Sequence, residues 1–248
     1  MIIYMAVVIA IGLVYAKRAN KNSEEYFLGG RSLGPWVTAM SAEASDMSGW
    51  LLMGLPGVAY WCGLADAFWT AFGLAVGTYI NWLIVSKRLR RYSVRANNSI
   101  TLPDFFSNRF REKKKTIMMI SAAFILIFFT VYAAIGIVIA LDENSVIFQI
   151  VSFAWAGFGA TFGPLMLFSL FWKHINKQGA IAGMLSGAGM VFRWKLVISK
   201  LGGVFAIYEL LPAFIFSSIC IVVVSLLTKA PSKEIEEDFE AVRRGTVE

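Results

Sequence analysis

Charged residues are absent from long stretches of this 248-residue sequence. Only 16% of the residues are charged, against about 25% in typical soluble domains, and the mean hydropathy is +0.65. Six stretches contain no Asp, Glu, Lys or Arg: residues 1–16, 47–65, 67–86, 116–141, 144–172 and 210–228. Each is close to or longer than the roughly 17–25 residues that cross a bilayer. The pattern excludes a soluble domain and predicts a membrane protein.

A seventh apolar stretch, residues 179–197, is free of charge until Arg193 and Lys195, whose long side chains can reach the membrane surface. We therefore predict an all-α membrane protein of about seven transmembrane helices, with the lipid bilayer as its surroundings. The first run, residues 1–16, has no basic residue before it and no small-residue cleavage site after it, which favours a first span over a signal peptide.

Cysteine and histidine are scarce. Cys62 and Cys220 fall in or beside different apolar stretches, which predicts free thiols rather than a disulfide framework. One histidine, His174, cannot supply the usual imidazole ligands of a metal site, and the sequence has no phosphate-binding glycine loop and no nucleophile with a histidine beside it. We predict that the protein is not an enzyme and holds no cofactor.

Positive charge is concentrated in alternate loops. The net charge is +7, and 20 of the 23 Lys and Arg residues fall on one side of the membrane if the N-terminus is outside. The four segments on that side are residues 17–32, 87–115, 173–178 and 229–248. This distribution follows the positive-inside rule, so it indicates membrane orientation and not nucleic-acid binding. It predicts a multi-pass protein of the plasma membrane with a cytoplasmic C-terminus.

Two of the basic segments have helical signals. In SITLPDFFSNRF, Pro103 and three phenylalanines favour a short interfacial helix beginning near Thr101, and a solvated basic loop is the alternative. Pro231 ends the last apolar stretch, and the charged tail after it favours a helix from Ser232. The tail shows no functional signal.

Glycines recur at every fourth position in three apolar stretches. They are Gly73 and Gly77, then Gly159 and Gly163, then Gly179, Gly183 and Gly187. In lipid this spacing lets helix backbones approach closely. We interpret these glycines as helix-packing positions rather than as parts of a gate. The helices that they contact could belong to the same chain or to a second copy, so helix–helix self-association is a further possibility.

One stretch, SAEASDMSGWLLMGLPG, combines charge with weak helix propensity. Ser45, Ser48 and Gly49 lower helix propensity around Asp46. An ionisable residue inside a span is costly unless it faces a partner or water, and a broken transmembrane helix exposes carbonyl oxygens that can coordinate a small cation. The stretch therefore favours an ion or substrate site, and the alternative is a kinked helix in which Asp46 is paired for packing.

Longer motifs resemble the sodium/solute symporter family, and within it the sodium/proline symporters. They are LGGRSLGPWVTAMSAEASDMSGWLLMGLPG, NWLIVSKRLRRYS and SITLPDFFSNRF, which resemble the N-terminal third, and VSFAWAGFGATFGPLMLFSLFW, GAIAGMLSGAGM and YELLPAFIFSSICIVVVSLL, which resemble the end. The resemblance implies a partial inverted-repeat, sodium-coupled transporter fold with an interrupted second helix. It further implies symport of L-proline with sodium as the coupling ion, and Arg31 matches a position that influences coupling.

The same resemblance assigns roles to five residues near the interruption. Ala44 and Met47 would offer backbone carbonyls to sodium, and Asp46 would supply negative charge beside the ion. Ser48 and Gly49 would lie near the proline site.

The chain is also shorter than the family it resembles. The fourth span begins like the family's fourth span and ends like its tenth, with a join near residues 135–139. The resemblance therefore implies an internal deletion of about six spans. We expect an N-terminal region over residues 1–140 with spans one to four, a C-terminal region over 141–228 with spans five to seven, and a cytoplasmic tail over 229–248.

Two functions therefore stay open on the sequence. One is sodium-coupled symport of L-proline. The other is an internally deleted, transport-incompetent membrane remnant, because a small hard cation wants about five or six oxygen ligands and the missing helices would supply part of them. An uncoupled pore is a weaker third alternative.

Overall fold

A computed structural model describes residues 2–46, 54–141 and 147–245 of the chain. These residues contain twelve α-helices joined by short 3-10 and π turns, and they contain no β-strand. The predicted all-α class is confirmed. The chain divides into two compact units, Met1–Ser48 and Gly49–Glu248.

The described part of the first unit holds three α-helices. They are α1 (Ile2–Ala19), α2 (Ser23–Leu28) and α3 (Pro35–Asp46). Asn22 caps α2, because its side chain accepts a hydrogen bond from the backbone N–H of Glu25 at 2.7 Å. Gly29 ends α2 with φ 57° and Gly30 follows with φ 64°, a left-handed conformation that glycine adopts without steric cost. These two glycines turn the chain before α3.

The described part of the second unit holds nine α-helices. They are α4 (Leu55–Cys62), α5 (Leu64–Asn81), α6 (Lys87–Arg95), α7 (Leu102–Arg109), α8 (Thr116–Leu141), α9 (Ile147–Phe171), α10 (Lys177–Leu196), α11 (Leu210–Leu227) and α12 (Lys233–Arg244). A π-helical turn over Trp82–Ser86 joins α5 to α6. Two 3-10 turns, Ile198–Leu201 and Gly203–Ala206, precede α11.

Four helices in the described residues are long and apolar enough to cross a membrane. They are Leu64–Arg95, Val151–Phe171, Lys177–Leu201 and Leu210–Leu227. Two shorter apolar helices, Ile3–Ala16 and Thr116–Val131, coincide with the first and fourth predicted spans. The remaining predicted span, residues 47–65, includes residues 47–53, which lie outside the described residues. That span and the interruption of its helix stay predictions.

The glycines of α10 line its contacts with α9 and α11. Gly179, Gly183 and Gly187 are all buried. A β-carbon at Gly187 would collide with the backbone carbonyl of Ala160 in α9, and one at Gly183 would collide with Ile221 in α11. The predicted packing role of this glycine series is confirmed.

The other two glycine pairs differ from one another. A β-carbon at Gly159 would lie 2.7 Å from the side chain of Leu210 in α11, and Gly163 faces the same helix. A β-carbon at Gly73 or Gly77 of α5 would meet no described atom within 4 Å. The pair in α9 therefore packs within the chain, whereas self-association through α5 stays a prediction.

Asn176 connects the start of α10 to the end of α11. Its Oδ1 accepts a hydrogen bond from the backbone N–H of Gly179 at 2.8 Å, which caps α10. Its Nδ2 donates to the carbonyl of Ser225 at 3.1 Å, to Oγ1 of Thr228 at 2.8 Å and to the carbonyl of Lys229 at 2.9 Å. Asn176 is 4% exposed, so water does not replace these bonds easily.

Helix α7, in the basic segment after α6, packs against α9 of the same unit. Thr101 caps α7, because its Oγ1 accepts a hydrogen bond from the backbone N–H of Asp104 at 3.3 Å. The phenylalanines of α7 are buried, and the ring of Phe106 stacks on Phe162 of α9 with centroids 6.3 Å apart. The helix predicted from Thr101 is confirmed. Its aromatic side chains, however, pack on protein rather than on a membrane interface, because Phe106 meets Phe162 of α9 and Phe105 meets Tyr92 of α6.

Candidate functional site

Two of the predicted sodium-site residues, Ala44 and Asp46, lie at the end of α3. Ala44 lies in the last turn of α3 and is exposed, and Asp46 is the last residue of that helix. Met47, Ser48 and Gly49 lie outside the described residues, as does the side chain of Asp46. The structure therefore places Ala44 and the backbone of Asp46 next to one another, and the roles of all five residues stay predictions.

The hydroxyl side chains of α3 bond back to its own carbonyls. Oγ of Ser45 donates to the carbonyl of Ser41 at 2.8 Å, and Oγ1 of Thr38 donates to the carbonyl of Gly34 at 3.0 Å. Such bonds to the carbonyl one turn earlier slightly destabilise a helix and often bend it. The turn that carries Ala44 therefore has the local weakness that its serine content predicts.

Arg31 lies at the other end of α3. It is the last residue of the 3-10 turn Gly29–Arg31, and Ser32 closes this turn by donating from its Oγ to the carbonyl of Gly29 at 3.1 Å. The 12 residues of α3 extend over about 18 Å. The fold thus does not bring the backbone of Arg31 close to Asp46, and a role in coupling would act from the far end of the helix.

A cluster of ion pairs joins α12 to α6 and to the turn after α7. The carboxylate of Asp238 accepts a hydrogen bond from Nε of Arg95 at 2.9 Å and another from Nη2 of Arg111 at 2.7 Å. Nη1 of Arg111 donates to Glu234 at 2.6 Å. These hydrogen bonds with Asp238 and Glu234 outweigh partial burial and raise the pKa of Arg111. The tail is therefore part of the folded unit.

The helix predicted from Ser232 is confirmed. Its packing against α6 and the turn after α7 was not predicted from the sequence. Ile235, Phe239 and Val242 are buried, while Glu234 bonds to an arginine on another element. The signal was present in the sequence, because apolar residues three and four positions apart predict an amphipathic helix with one buried side.

Glu112 links the turn after α7 to α8 and α10. Its Oε2 accepts a hydrogen bond from the backbone N–H of Ile117 at 2.7 Å, and its Oε1 lies 2.5 Å from Nζ of Lys177. Burial opposes the charged carboxylate, but the hydrogen bonds from Lys177 and Ile117 outweigh it and hold the pKa of Glu112 below its ordinary value. Glu112 is therefore charged at neutral pH and already paired.

In the part of the chain that the structure describes, no group of three or more His, Cys, Asp or Glu side chains could hold a metal ion. A sodium site built from backbone carbonyls and one carboxylate, as predicted around Asp46, is a different kind of site and does not need such a group.

One protein-family model matches this chain in two stretches. It is the model of the Sodium:solute symporter family, and it matches residues 26–140 and residues 124–187. The first stretch contains all the predicted site residues, from Arg31 to Gly49.

Several curated proteins are similar to this chain. It is 49% identical to the Sodium/proline symporter of Escherichia coli (strain K12) over 161 residues, which cover 64% of this chain and 32% of that protein. It is 50% identical to the Sodium/proline symporter of Staphylococcus aureus (strain bovine RF122 / ET3-1) over 136 residues, which cover 55% of this chain and 26% of that protein. The chain thus spans about a third or less of the length of these relatives.

A longer alignment exists with the Sodium/proline symporter of Haemophilus influenzae (strain ATCC 51907 / DSM 11121 / KW20 / Rd). It runs over 488 residues at 25% identity and takes in 98% of this chain and 96% of that protein. No solved structure matches this chain significantly.

Proposed function

Because this chain belongs to the sodium:solute symporter family, we propose that it carries out sodium-coupled symport of L-proline across the cytoplasmic membrane. The observation that carries the proposal is the 49% identity to the Sodium/proline symporter of Escherichia coli over 161 residues. The family is one of transporters rather than enzymes, which agrees with a chain whose apolar helices are long enough to cross a membrane several times.

In this proposal the last turn of α3 and Met47 after it form the ion site. The backbone carbonyls of Ala44 and Met47 bind sodium, and the carboxylate of Asp46 supplies the negative charge that raises its affinity. Ser48 and Gly49 lie beside L-proline, so that ion and solute occupy adjacent positions and each favours the binding of the other. The hydrogen bond from Oγ of Ser45 to the carbonyl of Ser41 supports this role, since such bonds slightly destabilise a helix turn and a destabilised turn offers its carbonyls more readily to an ion.

The proposed orientation has the N-terminus outside and the C-terminus in the cytoplasm. The positive-inside distribution of 20 of the 23 Lys and Arg residues supports it. Labelling of single cysteines introduced between residues 87 and 115 in intact cells is the direct check.

A second candidate function is that of an internally deleted, transport-incompetent membrane remnant. The alignment with the Haemophilus influenzae protein favours it, because nearly all of both proteins align over 488 positions whereas this chain has 248 residues. About half of those positions therefore have no residue of this chain opposite them. The two matches to the family model also overlap over residues 124–140, which include the predicted join at residues 135–139.

Uptake of labelled L-proline into proteoliposomes that contain only this chain tests the proposal. With an inward sodium gradient we expect accumulation several-fold above that in empty liposomes, and with potassium in place of sodium we expect none, because the solute moves uphill only with the ion. The Sodium/proline symporter of Escherichia coli serves as the positive control. Absence of uptake by inserted and folded protein would contradict symport and favour the remnant.

Replacement of Asp46 by asparagine is expected to raise the sodium concentration needed for half-maximal proline binding by at least about tenfold. The expected change follows from the loss of a charge-assisted contact of about 1.5–3 kcal/mol, since 1.4 kcal/mol is a factor of ten. Equilibrium binding of labelled proline at increasing sodium concentration measures this change. The measurement requires a binding site but no transport.

The matched control is Glu43→Gln, which removes a carboxylate from an exposed position of the same helix, three residues earlier. The sodium dependence of this variant should equal that of the unmodified chain. An unchanged sodium response in Asp46→Asn would remove Asp46 from the site, whatever the uptake experiment shows.

A further inference from the structure

A polar cavity of about 280 Å³ lies between α6, α7 and α12 in the second unit. We call it the arginine pocket, because Arg95, Arg109 and Arg111 contribute to its lining together with Tyr92 and the acidic residues Glu112 and Asp238. Neither the predicted sodium site nor the predicted proline site uses any of these side chains.

Arg109 is the residue that sets the arginine pocket apart. It is 3% exposed, and its Nε donates to the backbone carbonyl of Ser169 at 3.3 Å. Its two terminal nitrogens, Nη1 and Nη2, have no hydrogen-bond partner among the described residues. The guanidinium carbon lies 4.7 Å from the ring centre of Tyr92 and 5.4 Å from that of Phe110. These ring contacts are cation–π interactions and supply no oxygen acceptor for the two terminal nitrogens.

A buried guanidinium with two terminal nitrogens that lack hydrogen-bond partners is energetically costly. Burial lowers the pKa of Arg109 below its ordinary value, although Tyr92 and Asp238 oppose the shift. Arginine nevertheless stays protonated in proteins. Buried charges are normally paired, since an unpaired one loses its hydration without compensation. Asp238 offsets the charge of Arg109 only in part, so this charge calls for an anion.

The acidic residues of the arginine pocket do not supply that anion. Asp238 bonds to Arg95 and Arg111, and Glu112 pairs with Lys177. The hydroxyl of Tyr92 also has no hydrogen-bond partner among the described residues and can donate to a ligand. Arg109 and Tyr92 both line the pocket and carry buried donors for which the described residues supply no acceptor.

We propose that the arginine pocket binds a phosphate-type oxyanion, with Arg109 as its main donor. Two N–H groups of a guanidinium match two oxygens of a phosphate in a planar, charge-assisted pair. The cavity is several times larger than the roughly 30 Å³ that one water molecule occupies, so a phosphate group fits. The anion is either inorganic phosphate or the phosphate of an anionic lipid headgroup, since only the π-helical turn Trp82–Ser86 separates α6 from the apolar helix α5.

Thermal unfolding of the full chain in phosphatidylcholine nanodiscs tests the proposal. Potassium phosphate is titrated against potassium chloride at equal ionic strength, and tryptophan fluorescence reports the midpoint temperature. A ligand that binds only the folded chain raises this temperature, so we expect a rise that saturates with phosphate and is absent with chloride.

A parallel titration replaces part of the phosphatidylcholine by phosphatidylglycerol, without added phosphate. A saturable rise with phosphate assigns the pocket to the free anion, and a rise with phosphatidylglycerol alone assigns it to a lipid headgroup. If neither phosphate nor phosphatidylglycerol raises the midpoint temperature, the proposal is wrong.

Variants identify the donor. Arg109→Gln is expected to weaken the response to the effective probe at least about tenfold, because it removes charge-assisted hydrogen bonds. Lys114→Gln, which removes an exposed charge in the same segment, should leave the response unchanged. Arg109→Lys replaces Arg109→Gln if the latter fails to fold, and it should also weaken the response because it lacks the planar donor pair. A full response in a folded Arg109 variant overturns the proposal.

Discussion

Replacement of Gly187 by leucine is expected to lower the free energy of unfolding by about 3 kcal/mol or more, at the upper end of the cost of overpacking. A β-carbon at this position would collide with the carbonyl oxygen of Ala160 and would lie 2.9 Å from its carbonyl carbon and 3.2 Å from Oγ of Ser217. Backbone atoms cannot rotate out of the way as a side chain can. Helices α9 and α10 must therefore move apart, and the contacts along their whole interface weaken.

The structure provides a matched control on the same helix. Gly189 lies two residues later, is exposed, and has no described atom within 4 Å of its β-carbon position. Gly189→Leu should change stability by no more than about 1 kcal/mol, in the stabilising direction, because leucine has the higher helix propensity. Unfolding in mixed detergent micelles at increasing dodecyl sulfate, followed by circular dichroism, measures both variants. An equal loss in the two would show that close backbone approach at Gly187 is not the cause.

Replacement of Asn176 by alanine is expected to lower the free energy of unfolding by about 2–4 kcal/mol. The change removes the cap of α10, worth about 1 kcal/mol, and takes the donor away from the carbonyl of Ser225, the hydroxyl of Thr228 and the carbonyl of Lys229. A buried acceptor left without a donor costs about 1–3 kcal/mol. The same detergent titration measures the effect.

Asn176→Asp separates the two contributions. An aspartate keeps the oxygen that caps α10 but turns the donor toward α11 into a second acceptor, so it should destabilise at least as much as alanine. His174→Ala, an exposed change in the same turn, should be within about 0.5 kcal/mol of the unmodified chain. Native stability in Asn176→Asp would mean that the amide does not hold α10 and α11 together.

The helices and their packing faces could be predicted from local sequence. Charge-free runs predict apolar helices, because a segment that spans a bilayer must be long and apolar. At the predicted positions the described residues contain four helices long and apolar enough to cross a membrane and two shorter apolar helices. The spacing of Gly179, Gly183 and Gly187 also predicts a close contact. Its partner could not be predicted, because nothing in the local sequence says that Ala160 faces Gly187.

The burial of Arg109 could not be predicted for the same reason. The sequence places it in a basic segment, where a solvated side chain is the ordinary expectation. Arg109 is buried because Phe106 of the same helix packs on Phe162 of α9. The carbonyl of Ser169, 60 residues away in sequence, accepts a hydrogen bond from its Nε. Such long-range contacts leave no local pattern.

The residues of the candidate ion site, unlike the burial of Arg109, could be proposed from the sequence. Ala44, Asp46 and Met47 belong to one short motif, so local composition and family resemblance suffice to propose them. The return bond from Ser45 to Ser41 likewise follows from local chemistry. Oxygens contributed by other helices depend on how those helices pack, and a motif of a few residues contains no information about that.

The ion pairs of α12 form late in biosynthesis, because one partner is near the end of the chain. Arg95 leaves the ribosome 143 residues before Asp238, its partner. At about 5–20 residues per second, the arginine waits about 7–30 seconds for its carboxylate. During that interval the nascent chain presents the guanidinium groups of Arg95 and Arg111 without this counter-charge. These ion pairs can therefore form only after the last apolar helix, α11, has been synthesised.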